Sequence, residues 1–557
     1  MKNNNLKYIT IFTISGLSFV LGAFVMKAVD RTPITVPIVL EAQKISNFNF
    51  SPAQADSMLN YLDARSKDYQ ELRALKMPNS VVPSLTFNPI PQGFVPQDKT
   101  NGFVLAKTAP VKLPANKDDL AFYTVRQLGE LLRTKQVTSV ELTRFFIERL
   151  KKYNTRLLFV ITLTEEYAMK RAAKADAEIK SGHYRGILHG IPYGVKDLLA
   201  QKDYKTTFGA VPFKDQQLNT DATVITKLEE AGAVMVAKLT LGELAQGDVW
   251  FGGQTKNPWD ITRGSSGSSA GPASAVSAGC LPFAIGSETL GSIVSPSTEC
   301  GDTGLRPSFG RISKYGAMAL SWSMDKLGPI TRSVEDCAIV FNTIHGVDPK
   351  DLSTIPASFN YNGNGKDLKG WKIGYLKASF TNRSLNYKND SITLNKLKEL
   401  GAELIPLEMP KIPATAVGLM LDAEAGAAFQ DLLLNHREDG MVLQGKNAWP
   451  NTFRWAQFIP ATEYINASRA RTLLVQEWYE QLKGLDIYVA PSFSSNLRLT
   501  NLTGNPCVVL PNGFNQRGRP TSITFMGQLF GEGKLLQAAG IYQNATDFHT
   551  KHPALNF

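Results

Sequence analysis

Cysteine and histidine are scarce in this chain, which limits the metal and redox chemistry that the sequence can predict. Four cysteines and six histidines are spread over 557 residues. No Cys-x-x-Cys pair occurs, and no cysteine stands at a metal-ligand spacing from a histidine. The sequence therefore predicts no metal centre. Cys280, Cys300, Cys337 and Cys507 are expected to be buried free thiols, and a Cys280–Cys300 disulfide is the alternative.

Long blocks of like charge are also absent, although the chain is basic overall. Lysine and arginine number 60 against 49 aspartates and glutamates, which gives a formal net charge of +11 and a pI of about 9.2. Acidic and basic residues alternate along predicted helical stretches such as Lys170–Lys180. Because a nucleic-acid groove would cluster the positive charges, the pattern indicates a solvated basic surface and no nucleic-acid partner.

One long apolar run is present, and it lies at the amino end. Lys2 and Lys7 precede Tyr8–Met26, which is nineteen residues without a charged side chain. This pattern is typical of a cleaved secretory signal or of a retained membrane anchor, and a buried helix of the folded body is the alternative. Residues 1–27 are thus predicted to be a signal or anchor. The rest of the chain is expected outside the cytosol, periplasmic or otherwise extracytoplasmic, either soluble or held at the membrane through residues 8–26.

Residues 28–117 are predicted to be a helical and proline-rich arm. Ser51–Lys76 forms one predicted helix, with Ser51 as its N-cap and Pro52 in its first turn. Seven prolines then follow from Pro78 to Pro114, and neither a helix nor a central strand tolerates them. This second part of the arm is expected to wrap around the folded body as an extended chain.

Residues 118–557 are predicted to form one α/β domain. Capping boxes at Thr124 and Thr138 each indicate the start of a helix. Further along, helical and strand patterns alternate, which is typical of a large sheet covered by helices. Helices are predicted at Thr164–Lys180, Asp221–Ala231 and Ser391–Leu400, and strands at Ala233–Ala237 and Ala402–Pro406.

A segment rich in serine, glycine and alanine extends from Arg263 to Pro307. Apolar residues are interleaved with the small ones, so the segment is predicted to fold tightly and not to be a surface linker. Ser268 and Ser269 precede an alanine-rich helical run, whose N-terminus would point free N–H groups at them. A strand at Phe283–Gly286 then leads into the turn Ser287-Glu-Thr-Leu-Gly-Ser292, where exposed backbone N–H groups could bind an oxyanion.

Lys196 stands at the end of the apolar stretch Ile187–Val195, which is predicted to be a buried strand. Burial disfavours the charged form of a lysine, and a neutral lysine can act as a general base towards a hydroxyl. The structural alternative is a lysine that is paired with Asp197 or Glu288.

These elements together resemble the amidase signature family of amidohydrolases. The resemblance extends from about Leu120 to the carboxyl end, and it implies a large mixed β-sheet flanked by helices on both faces. The matching motifs are Gly190-Ile-Pro-Tyr-Gly-Val-Lys-Asp197, Gly267-Ser-Ser-Ala-Gly271, Gly286-Ser-Glu-Thr-Leu-Gly-Ser292, Gly301–Pro307 and Gly328–Asp336, with weaker matches at Asp486–Pro491 and Thr503–Pro511.

The resemblance implies a Ser-Ser-Lys apparatus, with Lys196 as the base, Ser268 as the bridging serine and Ser292 as the nucleophile. The spacing of 24 positions between the two serines selects Ser268 over Ser265. The family also has a cis peptide bond before the bridging serine. The implied oxyanion hole consists of the backbone N–H groups of Thr289, Leu290, Gly291 and Ser292, and Ser269 and Glu288 are implied as supporting residues.

The implied activity is hydrolysis of the C–N bond of a linear carboxylic amide through an acyl-enzyme. The substrate would be a small-molecule amide, and neither a metal nor an organic cofactor is required. Specificity is expected to lie in Phe359–Asn364 and Leu419–Tyr464, and the oligomeric state stays open, a homo-oligomer included. Four aromatic residues are candidates either for an acyl pocket or for core packing: Trp449, Phe453, Trp455 and Phe458.

Three positions depart from the family pattern. Leu290 stands where a glycine is usual, Val294 where an arginine is common, and Glu288 where an aspartate is usual. A leucine cannot adopt glycine-only backbone angles cheaply, so Leu290 is expected to narrow the pocket. These departures make the substrate hard to infer by analogy.

Other functions remain compatible with the sequence. Gly267–Gly271 also fits the Gly-x-Ser-x-Gly pattern, which would make Ser269 the nucleophile of an α/β-hydrolase esterase. An amidotransferase subunit would keep the fold but act on tRNA in the cytosol, which the apolar amino end disfavours. An inactive binding protein of the same fold is disfavoured because Lys196, Ser268 and Ser292 are all present.

Overall fold

The computed structural model describes residues 33–75, 77–381 and 386–557 of the chain. The predicted signal or anchor at residues 1–27 lies outside these described residues. The chain divides into two compact units, one that ends at Met77 and one that begins at Pro78. Within the described ranges, no helix is long and apolar enough to cross a membrane.

The described part of the first unit has the α-helices α1 (Val36–Ala42) and α2 (Pro52–Ala74), which pack against each other. The Ser51 side chain accepts a hydrogen bond from the N–H of Gln54, whose own side chain accepts from the N–H of Ser51. This capping box confirms the predicted start of the helix. The described part of the predicted arm is therefore divided, with residues 33–77 in the first unit and 78–117 in the second.

The second unit is an alternation of helices and strands. Its described helices are α3 (Val125–Arg133), α4 (Ser139–Leu157), α5 (Glu165–Lys180), α6 (Thr223–Glu230), α7 (Ala270–Ser277), α8 (Val294–Cys300), α9 (Val334–Ile344), α10 (Tyr387–Glu399), α11 (Ala414–Val417), α12 (Leu419–Ala428), α13 (Gln430–Leu434), α14 (Trp449–Ala456), α15 (Ala461–Leu482), α16 (Asn496–Thr503) and α17 (Glu532–Asn544). Its described strands are β1 (Gly102–Val104), β2 (Val160–Leu163), β3 (Pro192–Lys196), β4 (Val234–Leu239), β5 (Val249–Trp250), β6 (Gly253–Gln254), β7 (Lys256–Asn257), β8 (Asp260–Gly264), β9 (Phe283–Glu288), β10 (Thr303–Arg306), β11 (Lys326–Thr331), β12 (Asn360–Asn362), β13 (Lys372–Leu376), β14 (Glu403–Leu407), β15 (Ile487–Pro491), β16 (Cys507–Phe514) and β17 (Pro520–Gly527).

Eleven of these strands form one mixed sheet, in the order β14-β13-β15-β17-β16-β10-β11-β9-β3-β4-β2. Strand β3 pairs in parallel with β4 and with β9, and β9 pairs antiparallel with β11. Antiparallel pairs also join β10 to β11 and to β16. The mixed sheet confirms the predicted fold class.

Alternate residues of the sheet strands pack into different cores, because successive side chains of a strand point to opposite faces. On β9, Phe283 and Ile285 belong to a core that includes residues of α3, α9 and α17. Ala284 belongs to a second core, with residues of α4, α5 and α7. On β16, Val508 lies in the first core and Val509 in a third, with residues of α15 and α16. Helices therefore cover both faces.

The proline-rich segment after Pro78 runs in extended form along the rest of the second unit. The N–H of Gln92 donates to the Gln476 side chain at 2.8 Å. Strand β1 pairs in parallel with β12, which gives the segment a short sheet contact of its own. These contacts agree with the expectation of an extended arm that wraps around the body.

Two local predictions were wrong. Only Pro192–Lys196 of the stretch Ile187–Lys196 is a strand, because the residues before it form a turn in which Gly190 has a positive φ of 82°. The helix expected at Asp221 begins at Thr223, with no side-chain cap. The N-cap residue is Ala222, whose side chain has no acceptor, and the Asp221 carboxylate, one residue earlier, accepts from the N–H of Lys202 at 2.9 Å.

All four cysteines are buried free thiols, as expected, and the alternative Cys280–Cys300 disulfide is not formed. Burial raises the pKa of the Cys280 thiol to about 12, so the thiolate needed for disulfide exchange is disfavoured.

Candidate functional site

The candidate site lies where β3 and β9 end side by side in the sheet. Lys196 is the last residue of β3 and Glu288 is the last residue of β9. Val195 pairs with Ile285, so Lys196 comes beside Gly286 at the next position. The turn that contains Ser292 connects β9 to α8, and Ser269 is the N-cap residue of α7. Pairing of the two strands therefore brings distant segments of the chain together.

A close approach at Gly286 permits this assembly. A Cβ atom at residue 286 would lie 2.8 Å from the Oγ atom of Ser269, which is closer than real Cβ contacts. Glycine at this position therefore lets the start of α7 rest on β9. The peptide bond between Gly267 and Ser268 is cis, as the family resemblance implies.

Lys196 is fully buried and contacts three serine hydroxyls. Its Nζ atom lies 2.7 Å from Oγ of Ser268, 2.9 Å from Oγ of Ser287 and 3.3 Å from Oγ of Ser269. Asp197, the structural alternative as its partner, is instead paired with Lys238 at 2.8 Å. Within the part of the chain that the structure describes, Lys196 has no carboxylate partner.

The hydroxyl of Ser269 is fully used by its neighbours. It donates to the carbonyl oxygen of Ser287 at 3.1 Å and accepts from the N–H of the same residue at 3.1 Å. Its second lone pair faces the Nζ atom of Lys196. A hydroxyl offers one donor and two acceptor sites, so nothing remains with which Ser269 could attack a substrate. This bonding pattern does not fit the esterase alternative.

Burial lowers the pKa of Lys196 to about 7, and the charges of Asp325 and Glu288 oppose this shift only in part. The uncharged amine has two N–H donors and one lone pair. With its two N–H groups directed to Ser269 and Ser287, its lone pair can accept the proton of Ser268. This distribution of donors and acceptors suits a general base.

The turn after β9 presents unpaired backbone donors. Among the described residues, none of the backbone N–H groups from Thr289 to Ser292 donates to another group. Gly291 has a positive φ of 88°, whereas Leu290 does not adopt a positive φ. The glycine thus meets the conformational demand of the turn, and Leu290 is accommodated without left-handed geometry. The turn therefore offers free N–H donors of the kind that an oxyanion needs.

Glu288 anchors this turn as a buried anion. Its carboxylate accepts from the N–H groups of Ile293 and Val294 at 2.9 and 3.0 Å. Arg306 and Asn501 each donate to its other oxygen at 2.7 Å. Burial raises the pKa of Glu288, but Arg306 and the hydrogen bonds outweigh burial and lower the pKa to about 2. The longer side chain at this position therefore holds the start of α8 next to Ser292.

Ser292 lies beside Ser269 but does not bond to Ser268. The N–H of Ser269 donates to the carbonyl oxygen of Ser292 at 3.1 Å. No hydrogen bond between the described atoms joins the hydroxyls of Ser268 and Ser292. Ser292 is 8% exposed and Ser268 is 1% exposed, so the first is the more accessible of the two. The structure thus brings Lys196 to Ser268, with Ser292 next to this pair.

Four contributors to the site were missed in the sequence, and one of them is Asn501, which donates to Glu288. Ser287 contacts Lys196, Arg306 neutralises Glu288, and Asp325 accepts from the hydroxyl of Thr289 at 2.5 Å. Ser287 and Arg306 lie inside the quoted family motifs, so the motif positions could have found them. Asp325 is the residue before β11, and only the pairing of β9 with β11 brings it to Thr289.

The two segments expected to determine specificity, Phe359–Asn364 and Leu419–Tyr464, contain both buried and exposed side chains. In Phe359–Asn364, Phe359 and Tyr361 are buried in the first core, whereas the three asparagines of this segment are exposed. Trp449 stacks on Phe453, with ring centroids 5.3 Å apart, and both are buried. These two aromatic residues therefore belong to core packing, whereas Trp455 and Phe458 are exposed.

A separate cleft of about 1050 Å³ lies away from the candidate site. It is bordered by the proline-rich segment, α3 and α17, and Arg126, Tyr361 and His549 are among its lining residues. Neither Lys196 nor Ser292 lines it. This cleft is therefore not the place where Lys196 and the serines come together.

Among the residues that the structure describes, one group of side chains has metal-ligating atoms within 4.8 Å of one another, namely His436, Glu438 and Asp439. The Arg454 guanidinium lies 3.1 Å from Glu438 and 2.9 Å from Asp439, so one cation of the protein is already paired with both carboxylates. This group is also outside the serine-lysine cluster.

Comparisons with known proteins agree with this geometry. The family model described as Amidase matches residues 141–499. The chain is 31% identical to a glutamyl-tRNA(Gln) amidotransferase subunit from Thermoanaerobacter pseudethanolicus over 485 residues, which is 78% of this chain and 99% of that protein. The corresponding subunit from Moorella thermoacetica is 32% identical, with the same coverage.

Two solved structures share the fold. The native peptide amidase of Stenotrophomonas maltophilia is 29% identical, with a TM-score of 0.69 over 78% of this chain and 99% of that one. An amidase family protein from Bacillus anthracis is 27% identical, with a TM-score of 0.71 over 79% of this chain and 93% of that one.

Replacing Arg306 tests whether Glu288 depends on its cation. In Arg306→Gln the buried carboxylate keeps Asn501 but loses its opposite charge. The free energy of unfolding should therefore fall by about 3–5 kcal/mol, as measured by urea denaturation at pH 7. Arg133→Gln removes an arginine from an exposed pair with Glu130 and should change little. Equal stability of the Arg306 variant and the wild type would contradict the assigned role.

Proposed function

The chain belongs to the amidase family, and from that premise we propose that it hydrolyses a linear carboxylic amide through an acyl-enzyme on Ser292. The observation that most strongly supports this proposal is the buried Lys196, which lacks a carboxylate partner and lies 2.7 Å from the hydroxyl of Ser268. A lysine in this environment is a base, because its burial favours the neutral amine.

In the first step, the Ser292 hydroxyl attacks the amide carbonyl carbon. Its proton passes to Ser268 while the proton of Ser268 passes to the Nζ atom of Lys196. The side chains of Ser268 and Ser292 must move into hydrogen-bond contact for this relay, as catalytic contacts often do when a substrate binds. The free N–H groups of the Thr289–Ser292 turn stabilise the oxyanion, at about 3 kcal/mol for each donor.

The tetrahedral intermediate then collapses. The C–N bond breaks as the Lys196 ammonium returns a proton through Ser268 to the leaving nitrogen, which departs as ammonia or an amine. A water molecule attacks the ester on Ser292 while the same relay carries its proton through Ser268 to Lys196. The bond between the acyl carbon and the Ser292 oxygen then breaks, and the proton returns from Lys196 through Ser268 to Ser292. The products are a carboxylic acid and the original enzyme, so atoms and protons balance.

The substrate class is proposed to be a small-molecule amide. Leu290 is half-buried in the turn before Ser292, and a bulky side chain at this position should favour small acyl groups. The likeness to the peptide amidase of Stenotrophomonas maltophilia makes peptide carboxamides the first compounds to screen. Fatty and aryl amides are the next classes.

Fluorophosphonate labelling tests the nucleophile. We expect one adduct, mapped to Ser292 by tandem mass spectrometry, which is absent in Ser292→Ala and in Lys196→Ala. Lys227→Ala is the control, because Lys227 is also partly buried but donates to the carbonyl oxygen of His345, away from the site. An adduct on Ser269 would support the esterase alternative and overturn the proposal.

The pH dependence of labelling tests the base. Burial lowers the pKa of Lys196 from 10.5 to about 7, so its amine becomes neutral as the pH rises through 7. The labelling rate should therefore increase with pH, with a midpoint of about 7, and stay level above it. A midpoint near 10 would show that an ordinary, solvated lysine acts as the base, contrary to the proposed mechanism.

A role as an amidotransferase subunit is the second candidate function, because two relatives with that name match over 99% of their length. We favour an exported hydrolase, since Lys2 and Lys7 precede the uncharged run Tyr8–Met26. An exported protein would have no access to cytosolic tRNA.

Fractionation of cells that produce the full chain separates these two candidates. The exported hydrolase should be found in the periplasm, outside the cell or in the membrane fraction. Changing Phe12 and Leu17 to aspartate should retain it in the cytosol, because charges interrupt the apolar run. A wild-type chain that stays in the soluble cytosolic fraction would contradict export and favour the amidotransferase candidate.

A further inference from the structure

A loop formed by Leu320–Asp325 lies against the turn that would bind the oxyanion. The Asp325 carboxylate accepts from the Thr289 hydroxyl with one oxygen. Its other oxygen accepts from the N–H groups of Leu320 and Ser321 at 2.8 and 3.0 Å. One side chain therefore closes the loop and binds it to the first residue of the turn.

Glu424, on α12, holds the same loop from its other side. Its carboxylate accepts from the hydroxyl of Ser321 at 2.7 Å and from the hydroxyl and N–H of Ser323 at 2.6 and 3.0 Å. The Tyr464 hydroxyl, on α15, also donates to it at 2.9 Å. Glu424 is 5% exposed, so these four contacts form in a largely dry environment.

Arg471, on α15, connects this loop to the helix that supports Glu288. Its guanidinium donates to the hydroxyl and the carbonyl oxygen of Ser323, both at 2.9 Å. It also donates to the carbonyl oxygen of Leu502 at 2.6 Å. The preceding residue on α16, Asn501, donates to Glu288. Arg471 is 1% exposed, and its charge lies over the Phe87 ring at 3.4 Å.

These contacts form a continuous set of interactions around the Thr289–Ser292 turn, here called the Ser323 network. Thr289 is hydrogen-bonded to Asp325, which lies in the same loop as Ser323. Ser323 is bonded to Arg471, and Arg471 contacts α16, from which Asn501 donates to Glu288. Glu288 and Thr289 are adjacent residues at the start of the turn. Both therefore depend on side chains from α12 and α15, which are distant in sequence from the amidase motifs.

We propose that Glu424 and Arg471 are positioning residues of the reaction, which fix the Leu320–Asp325 loop and through it the Thr289–Ser292 turn. The inference rests on the proposed function, because it assigns these residues a task at the same site. Neither side chain touches the reacting atoms. Their effect is on the placement of the N–H donors, which matters most when the oxyanion forms.

Replacing Glu424 by glutamine tests this role. The amide keeps the shape but has only one acceptor oxygen, so it cannot satisfy the donors of both serines. We expect the maximal fluorophosphonate labelling rate of Ser292 to fall roughly tenfold to a hundredfold, because small misplacements of catalytic groups have effects of that order. The probe concentration that gives half the maximal rate should change by less than about twofold, since probe binding is not affected.

Glu438→Gln is the matched control. Glu438 is 4% exposed and ion-paired with Arg454, but it does not contact the Leu320–Asp325 loop. Its replacement should leave the maximal labelling rate unchanged. Thermal unfolding of each variant shows whether the protein is folded at the assay temperature.

A double-mutant cycle tests whether the effect of Glu424→Gln on the labelling rate is transmitted through Ser323. Ser323→Ala removes the hydroxyl between Glu424 and Arg471 without leaving a charge. If the two residues act through one network, Glu424→Gln combined with Ser323→Ala should slow labelling no more than the stronger single variant. Additive losses in rate would contradict a shared network.

The outcomes separate this inference from the proposed function. Wild-type labelling at Ser292 with an equal maximal rate in Glu424→Gln would overturn the inference and leave the proposed function intact. Absence of wild-type labelling at Ser292 would overturn both. A slower rate in Glu424→Gln but not in Glu438→Gln, with the pH midpoint still at about 7, is the result expected of a positioning residue.

Discussion

Removal of one amino group from water is the constraint on which the rest of the site depends. A buried lysine normally needs a carboxylate, and the one next to it in the chain, Asp197, is paired with Lys238. Lys196 is left with hydroxyl partners alone. Because hydroxyls can donate as well as accept, they stabilise the neutral amine without supplying a full opposite charge. The segment rich in small residues is the means by which three serines come close enough to do this.

The buried carboxylate of Glu288 has the opposite requirement, because it must stay charged whereas Lys196 must be able to lose its charge. Glu288 is surrounded by an arginine, an amide and two backbone N–H groups, which keep it ionised at any ordinary pH. Lys196 and Glu288 thus lie on neighbouring strands with opposite electrostatic surroundings. One supplies a group that can change protonation state, and the other supplies a fixed anion around which the turn is built.

The sequence was sufficient for the fold class and for the clustering of Lys196 with Ser268. Both predictions came from the short motifs around Lys196, Ser268 and Ser292, whose order of glycine, serine and lysine is typical of the amidase family. The strand expected from Ile187 was wrong in its first half, since an apolar run does not distinguish a buried turn from a strand. The helix start expected at Asp221 was wrong by two residues, because the N-cap position falls on Ala222, whose side chain has no acceptor.

Contacts between residues on neighbouring strands could not be predicted from the sequence. Asp325 reaches Thr289 only because β11 pairs with β9 in one register, and no local pattern specifies that register. The same is true of Asn501, which meets Glu288 from a helix more than two hundred residues away in the chain. Side chains that support a site are therefore harder to predict than those that lie within its motifs.

The parallel pairing of β3 with β9 also bears on how the protein is made. Parallel neighbours require a long crossover, and such non-local contacts form slowly because loop closure precedes any gain from pairing. The turn next to Ser292 gains its last supports only when α15 and α16 have been synthesised. A nascent chain that ends before residue 501 would hold Glu288 without its amide partner, so the supports of the turn are complete only after that residue has been added.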